Sequence, residues 1–317
     1  PGNGTFLYGA LHRFNNMDVM AFFEGLGVPL KVERGQRVFP VSDKAADVVQ
    51  AMVAELKRQK VEVHYKTAAT GLAIENGQIT GAYHGGFFAP FDAVILATGG
   101  ASYPATGSTG DGYVFAEAAG HRIVPLLPSL VPLITKEKWV AEAMGLALKN
   151  TKAQLYAQEK KLGEEFGEML FTHFGVSGPM ILSLSKAACD FWQKQPQAEL
   201  QLYLNLKPAL TAEQLDSRLQ KDWQKYNRKE FQNSLGDLLP KSIIPVIVRL
   251  SGIDVHKFVH QISKAERLNL VALIQKLPLT VVAARPLTEA IVTAGGVAVK
   301  EINPKTMESK LVRGRVK

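Results

Sequence analysis

The sequence predicts an α/β protein: an α/β layer, an inserted β-plus-helical block, and a return to the first layer. Three observations carry this. Phe91–Ala97 is a nearly continuous apolar run that ends in Thr98-Gly99-Gly100 and leads into a helix, the pattern of a strand buried on both faces. Past His121 the alternation gives way to short β-like runs and prolines at Pro125, Pro128, Pro132 and Pro179. Residues 211–278 read as mostly helical before strand character returns near Thr280.

Taken in order, Leu7, Leu11, Phe14, Met17, Met20 and Phe23 recur at helical spacing, which predicts a helix over 5–27 stopped by Gly25 and Gly27. Arg37–Pro40 is a short extended piece. Ser42 is placed to cap a second helix, with Ala45, Val48, Val49, Met52, Val53 and Leu56 as its apolar face. Val61–Tyr65 reads as a strand. Asn76-Gly77 supplies two positive-φ residues between alternating runs, the signal of a tight hairpin. Gly85-Gly86 marks another turn, and Tyr113–Ala119 a helix closed by Gly120. Strands follow at 198–206 and, later, at Val281–Ala283 and Ala290–Thr293. A last hairpin runs from Val297 to Val312 around Asn303-Pro304.

Composition removes several classes of function. A hydrophobic fraction of 46% and a charged fraction of 21% are globular values, not those of a disordered chain. No apolar run is long enough to span a bilayer as a helix. The single cysteine, Cys189, excludes an internal disulfide and a cysteine-based zinc site, and its helical, apolar context makes it a packing residue. The net charge of +8 favours anionic partners. The charge is spread, and its densest cluster is the Lys300–Lys317 tail, so nucleic acid is set aside as a partner and a small-molecule substrate is expected. With no targeting segment and one cysteine, the expected compartment is the cytoplasm. Oligomeric state is not legible.

Two segments are candidates for ligand chemistry. Ala97-Thr98-Gly99-Gly100 is a strand end at which a ligand can approach bare backbone; the plainer reading is a strand-to-loop turn. Gly107-Ser108-Thr109-Gly110-Asp111-Gly112 opens a helix, and its backbone N–H groups suit an anion; the plainer reading makes Thr109 or Asp111 a helix cap. No complete G-x-G-x-x-G, Walker loop or G-x-S-x-G is present. Of seven histidines only His256 and His260 share i, i+4 spacing, without the carboxylate that a metal site of that type needs. His173, in Phe171–Gly175, is either a residue over a substrate or a structural histidine.

Several segments together resemble one family: Pro1–Tyr8, Gly35–Ser42, Ala97 through Gly112, Pro128–Leu133, Gly167–Pro179 and Ala290 through Lys310. The sequence resembles the YhiN/BaiN-type bacterial flavoproteins, NAD(P)/FAD-dependent oxidoreductases that include aminoacetone-oxidase-like proteins. The resemblance implies a Rossmann-like FAD-binding domain of the two-dinucleotide-binding type at 1–126 and 290–317. An inserted β-barrel and helical domain is implied at 127–289, its helical part about 211–278. It implies FAD as cofactor, with NAD(P)H or oxygen as redox partner. It places Ala97, Thr98, Gly99 and Gly100 beside the flavin and Ala69 at the adenine, where members commonly carry Val. Gly107, Gly110, Asp111 and Gly112 complete the expected cofactor contacts. His173 and Arg37 are the substrate-side candidates, chosen only for their polarity within family-like segments. The family's phosphate loop and its closing Gly-rich segment are not found, so the expectation is a fragment of such an enzyme. The competing expectation is an inactive form that serves as an anion-binding or protein-interaction module.

Overall fold

A computed structural model describes residues 3–33 and 35–314. The expected Pro1-Gly2 start of the first family-like segment and the Arg315–Lys317 end of the basic tail lie outside the described residues. The chain divides into two compact units. The first comprises Pro1–Ala97, Asp111–Val124 and Val297–Lys317, and the second Thr98–Gly110 and Pro125–Gly296.

In the first unit the helix expected over 5–27 is two helices, α1 (Tyr8–Arg13) and α2 (Asn16–Gly25). Asn15 separates them. Its side chain accepts from the N–H groups of Met17 and Asp18, and the Asp18 carboxylate accepts from the Asn15 N–H. This reciprocal capping box starts a new helix in the middle of a continuous apolar periodicity. β1 (Leu30–Glu33) and β2 (Arg37–Pro40) form an antiparallel pair. α3 (Ala45–Arg58) follows, capped not by the side chain of Ser42 but from Lys44, which makes no side-chain cap. Ser42 Oγ instead accepts from the Lys44 N–H in the preceding turn.

β3 (Ala69–Glu75), β4 (Gln78–His84) and β5 (Phe87–Pro90) form a three-stranded antiparallel sheet. Asn76 and Gly77 take φ values of 50° and 74°, the mirror-image turn whose twist matches the strands it joins. α4 (Asp111–Ala118) ends at Gly120, with φ 90°.

Two expected strands are absent. Residues 61–65 and 91–97 lie outside every described strand, and Ile95 is 90% exposed. A strand buried on both faces needs hydrogen-bonded neighbours on both sides, and no described sheet includes either segment.

The second unit holds most of the core. β6 (Ile123–Ser129) begins at the end of the first unit and pairs with a late strand, β13, given below. A closed six-stranded barrel is built from β7 (Leu133–Thr135), β8 (Ala147–Ala157), β9 (Lys160–Phe171), β10 (Gly175–Ser177), β11 (Leu200–Asn205) and β12 (Leu277–Ala284), in the order β10-β7-β12-β11-β8-β9. Every neighbouring pair is antiparallel. Alternation writes the inside of the barrel: Leu200, Leu202 and Leu204 are buried while Gln201, Tyr203 and Asn205 are partly exposed. Closure leaves these strands without a free edge.

Between β10 and β11 lies α5 (Pro179–Trp192), which starts with proline where no N–H is needed. It packs so closely on β9 that a Cβ at Gly163 would stand 3.0 Å from Leu184 Cδ2. Between β11 and β12 come α6 (Ala212–Lys225), α7 (Ile244–Ser251) and α8 (Lys264–Gln275). Thr211 with Gln214 and Ser263 with Glu266 form capping boxes at α6 and α8. Their apolar faces, including Leu215, Leu219, Val246, Ile247, Leu270 and Ile274, join the barrel core in one cluster. β13 (Val292–Val297) pairs with β6. All three tryptophans lie in this unit. Trp139 lies tilted against Phe171 with ring centroids 5.8 Å apart, Trp223 meets Phe231 edge-on, and Trp192 donates to the Ala198 carbonyl at 2.8 Å.

After β13 the expected last hairpin is only a short one. Val299–Glu301 forms a 3-10 turn, and a single antiparallel bridge joins Ile302 to Ser309.

Candidate functional site

The best-defined candidate is the glycine-rich loop Thr98–Gly110 of the second unit. Ala97, Thr98 and Gly99 are exposed and Gly100 is half-buried. Gly99 has φ 78°, and a Cβ there would stand 2.7 Å from Ser108 Oγ, so only glycine lets the loop fold back on itself. β13 fixes the loop: Thr293 Oγ1 accepts from the Ala101 N–H at 2.9 Å and shares a 2.8 Å hydrogen bond with Ser102 Oγ. Tyr103, at φ 50°, donates its N–H to the Thr288 carbonyl. Thr293 therefore joins two glycine-rich segments, Thr98-Gly99-Gly100 and Ala294-Gly295-Gly296, the latter with φ values of 92° and 109° at its glycines. Sequence reasoning singled out the first segment and missed the residue that couples it to the second. A hydroxyl two residues before a Gly-Gly pair was its only signal.

The anion-cradle reading of Gly107–Gly112 finds a competitor within the chain. Asp111 is the first residue of α4, so its carboxylate already sits at the positive end of the helix dipole. The Thr109 N–H is spent on the Gly107 carbonyl at 3.1 Å.

The other expected site residues are dispersed. Ala69 is exposed at the start of β3, opposite His84. Arg37 opens β2, opposite Glu33. These two lie in the first unit with Ala97, Asp111 and Gly112; Thr98, Gly99, Gly100, Gly107, Gly110 and His173 lie in the second. His173 is exposed between β9 and β10, its ring edge-on to Phe174 at 4.9 Å. Phe174 in turn carries the Arg285 guanidinium 4.8 Å from its centroid. His256 pairs with Glu230 at 3.2 Å and His260 with the Asn227 carbonyl at 2.7 Å. No group of metal-binding side chains is found among the described residues.

The first unit contains a cluster that the sequence did not announce. His121, 6% exposed, lies between Glu301 (Nδ1 to Oε2, 3.1 Å) and Ser309 (Nε2 to Oγ, 2.8 Å). The order carboxylate–imidazole–hydroxyl is that of an acyl-transfer triad, but the surroundings are not. Ser309 Oγ accepts from the Leu311 and Val312 N–H groups, and Glu301 Oε2 also accepts from the Arg122 N–H. The backbone hydrogen bond from Arg122, then His121, holds the Glu301 carboxyl below its ordinary range. With Ser309 Oγ directed at its own main chain, the cluster is a staple that ties residues 121–122 to the segment 301–312.

A cavity of about 500 Å³ in the second unit is lined by residues that include Gln232, Asn233, Lys241, Ile244 and Val255, and by none of the expected site residues. No helix among the described residues is long and apolar enough to cross a membrane.

The glycine-rich loop suits a flat ligand laid against main chain, since Thr98, Gly99 and Gly295 are exposed and present little or no side chain to hold it off. That edge offers bare main chain to the flat ring of a flavin. The described residues include no G-x-G-x-x-G loop for its pyrophosphate, and none is assigned that role.

Comparison with known proteins identifies the chain's family. The chain is 30% identical over 310 residues to the 3-dehydro-bile acid delta(4,6)-reductase of Clostridium scindens, covering 98% of this chain and 74% of that protein. It is 25% identical over 313 residues to the ribosomal RNA dihydrouridine synthase of Escherichia coli, covering 98% and 74%. It is 33% identical over 224 residues to the protein of the same name from Haemophilus influenzae, covering 70% and 51%. Residues 1–315 match the family described as HI0933-like protein Rossmann domain. The chain belongs to that family, the flavoproteins of YhiN/BaiN type that its segments resemble.

Proposed function

We propose that the chain binds FAD as part of an oxidoreductase that reduces a carbon–carbon double bond conjugated to a carbonyl. The observation that carries this is similarity along 98% of this chain, and 74% of each relative, to two proteins whose names share that chemistry. A 3-dehydro-bile acid delta(4,6)-reductase acts on a double-bond system in line with a ketone, and making dihydrouridine saturates the uracil double bond beside its carbonyl. The flavin supplies the hydride. The chain's own contribution is orientation: Thr98, Gly99 and Gly295 would lie against the cofactor, with Thr293 and Ser102 holding the loop rigid behind them. NAD(P)H is the proposed reductant. His173 and Arg37 remain the substrate-side candidates.

The substrate has two readings. One is a small apolar enone, as for the bile-acid relative. The other is a uracil base within RNA, favoured by the net charge of +8 and by the two relatives named for that product. The test is a visible spectrum of the purified chain after incubation with FAD and removal of free cofactor. A retained flavin band that NAD(P)H bleaches, with reoxidation by an enone or by uridine-containing RNA, is the expected result. A folded chain that retains no flavin overturns the proposal.

A further inference from the structure

Besides the Lys300–Lys317 tail, positive charge gathers in the helical block. Residues 211–278 hold eleven Lys and Arg against seven Asp and Glu, half of the chain's net charge. Its centre is the loop that ends α6, where Lys225, Arg228 and Lys229 lie within five residues around Tyr226. The Tyr226 ring carries two of these cations, Lys225 Nζ at 4.8 Å and Lys229 Nζ at 3.8 Å from its centroid. Its hydroxyl donates to Asp237 at 2.8 Å, which anchors the ring and occupies that carboxylate. Asp237 also lies 3.8 Å from Lys225 Nζ, Asp222 is paired with Arg218, and Glu230 is held by Gln232 and His256.

A second segment is bound edge to edge with this loop. The Val259 N–H donates to the Lys229 carbonyl at 3.1 Å, the Phe231 N–H to the Lys257 carbonyl at 2.8 Å, and Glu230 bridges Phe258. His260 Nδ1–H donates to the Asn227 carbonyl at 2.7 Å. These bonds fix Phe258 and His260 as a nearly coplanar pair, 14° between rings and 5.8 Å between centroids, with Phe258 42% exposed. An exposed, rigid aromatic pair next to three clustered cations combines the two elements that hold single-stranded nucleic acid: a π-face for a base and point charges for its phosphates. An acidic peptide would use the cations and leave the ring pair without a role.

We propose that the Lys225–Lys229 loop and the Phe258–His260 turn form a docking surface for single-stranded RNA. This extends the RNA reading of the substrate, and it is tested by binding alone, so that loss of flavin chemistry and loss of docking are read separately.

The probe is a fluorescein-labelled oligouridine followed by anisotropy across a salt series, with the full chain and no added flavin. Each phosphate contact on a single strand contributes about −0.7 to the slope of log affinity against log salt. The combined K225Q/R228Q/K229Q variant is therefore expected to flatten the slope by about 2. F258A is expected to weaken binding about tenfold with the slope unchanged. K160Q, at the exposed end of β9, is expected to bind as the parent does. The far-ultraviolet spectrum of each variant confirms its fold. The proposal is overturned if the parent does not bind at low salt, if the triple variant keeps the parent's slope, if F258A binds as tightly as the parent, or if polyglutamate competes as well as unlabelled oligouridine.

Discussion

Cys189 shows how completely one side chain can be decided by its surroundings. It lies on the buried face of α5, and burial, with a smaller contribution from Asp190, pushes its thiol up to about 11. The thiolate is the reactive form, so the native protein should react with a thiol-specific disulfide reagent at pH 8 only as fast as it unfolds. Rapid labelling without denaturant would contradict this placement. The packing role was legible from the sequence, because an apolar helical context is enough to predict it.

The role of His121 was not legible, since its partners Glu301 and Ser309 stand some 180 residues away. Replacing it by alanine removes two hydrogen bonds and leaves Glu301 and Ser309 with their backbone donors alone, a loss of about 1–3 kcal/mol. Urea denaturation followed by circular dichroism would measure it. S309A, which also removes the acceptor for two backbone N–H groups, should be destabilising as well.

Among elements, the barrel depends on a glycine at its tightest approach. A Cβ at Gly175 would stand 2.2 Å from the Leu133 carbonyl oxygen and 2.9 Å from the Thr135 nitrogen. G175A must therefore push β10 away from β7, and a loss of about 3 kcal/mol or more is expected in the same assay. At α8, the Lys257 ammonium, followed by hydrogen bonds from Ser263, holds the Glu266 carboxyl down to about 2. Because the folded value is depressed, the stabilisation is complete above the ordinary glutamate value of 4.5 and fades as pH falls toward about 2. The difference in Tm between the parent and E266Q should shrink over that window; a gap independent of pH would show that the charge is not the cause.

Elements specified by local chemistry were the legible ones. Asn76-Gly77 determined a hairpin because two positive-φ residues are needed there and those two supply them. Phe91–Ala97 was misread as a strand because apolar content marks what a segment can bury, whereas strand structure also requires a partner. The helix over 5–27 was misread because apolar periodicity continued through Asn15, a capping residue whose effect outweighed it.

In the whole molecule the buried apolar residues are unevenly distributed. The largest cluster belongs wholly to the second unit, whereas the buried apolar residues of the first include Val28, Ala73, Ile79, Ala116 and Ala298. On α3 the expected apolar face is present, yet Val49 is 60% and Val53 46% exposed. Native-state hydrogen exchange should therefore find its slowest amides in β8, β9 and β11, with α1 to α3 exchanging early. Uniform protection across both units would refute that gradient. The expected change of character near residue 126 rests on proline and strand composition shifting together. The site could be read only in part, because glycines mark where backbone is bare and say nothing of which hydroxyl, here Thr293, will brace it.

Trp139, Trp192 and Trp223 make the second unit the only one with an indole chromophore. Emission excited at the red edge of the protein band will follow the melting of the barrel and its helices and be blind to the first unit. A single sigmoid by fluorescence would thus be no proof of one cooperative transition. The four tyrosines of the first unit, Tyr8, Tyr65, Tyr83 and Tyr113, cannot be resolved against that signal, so an indole placed there by mutation would be the reporter that lets the two melts be timed against each other.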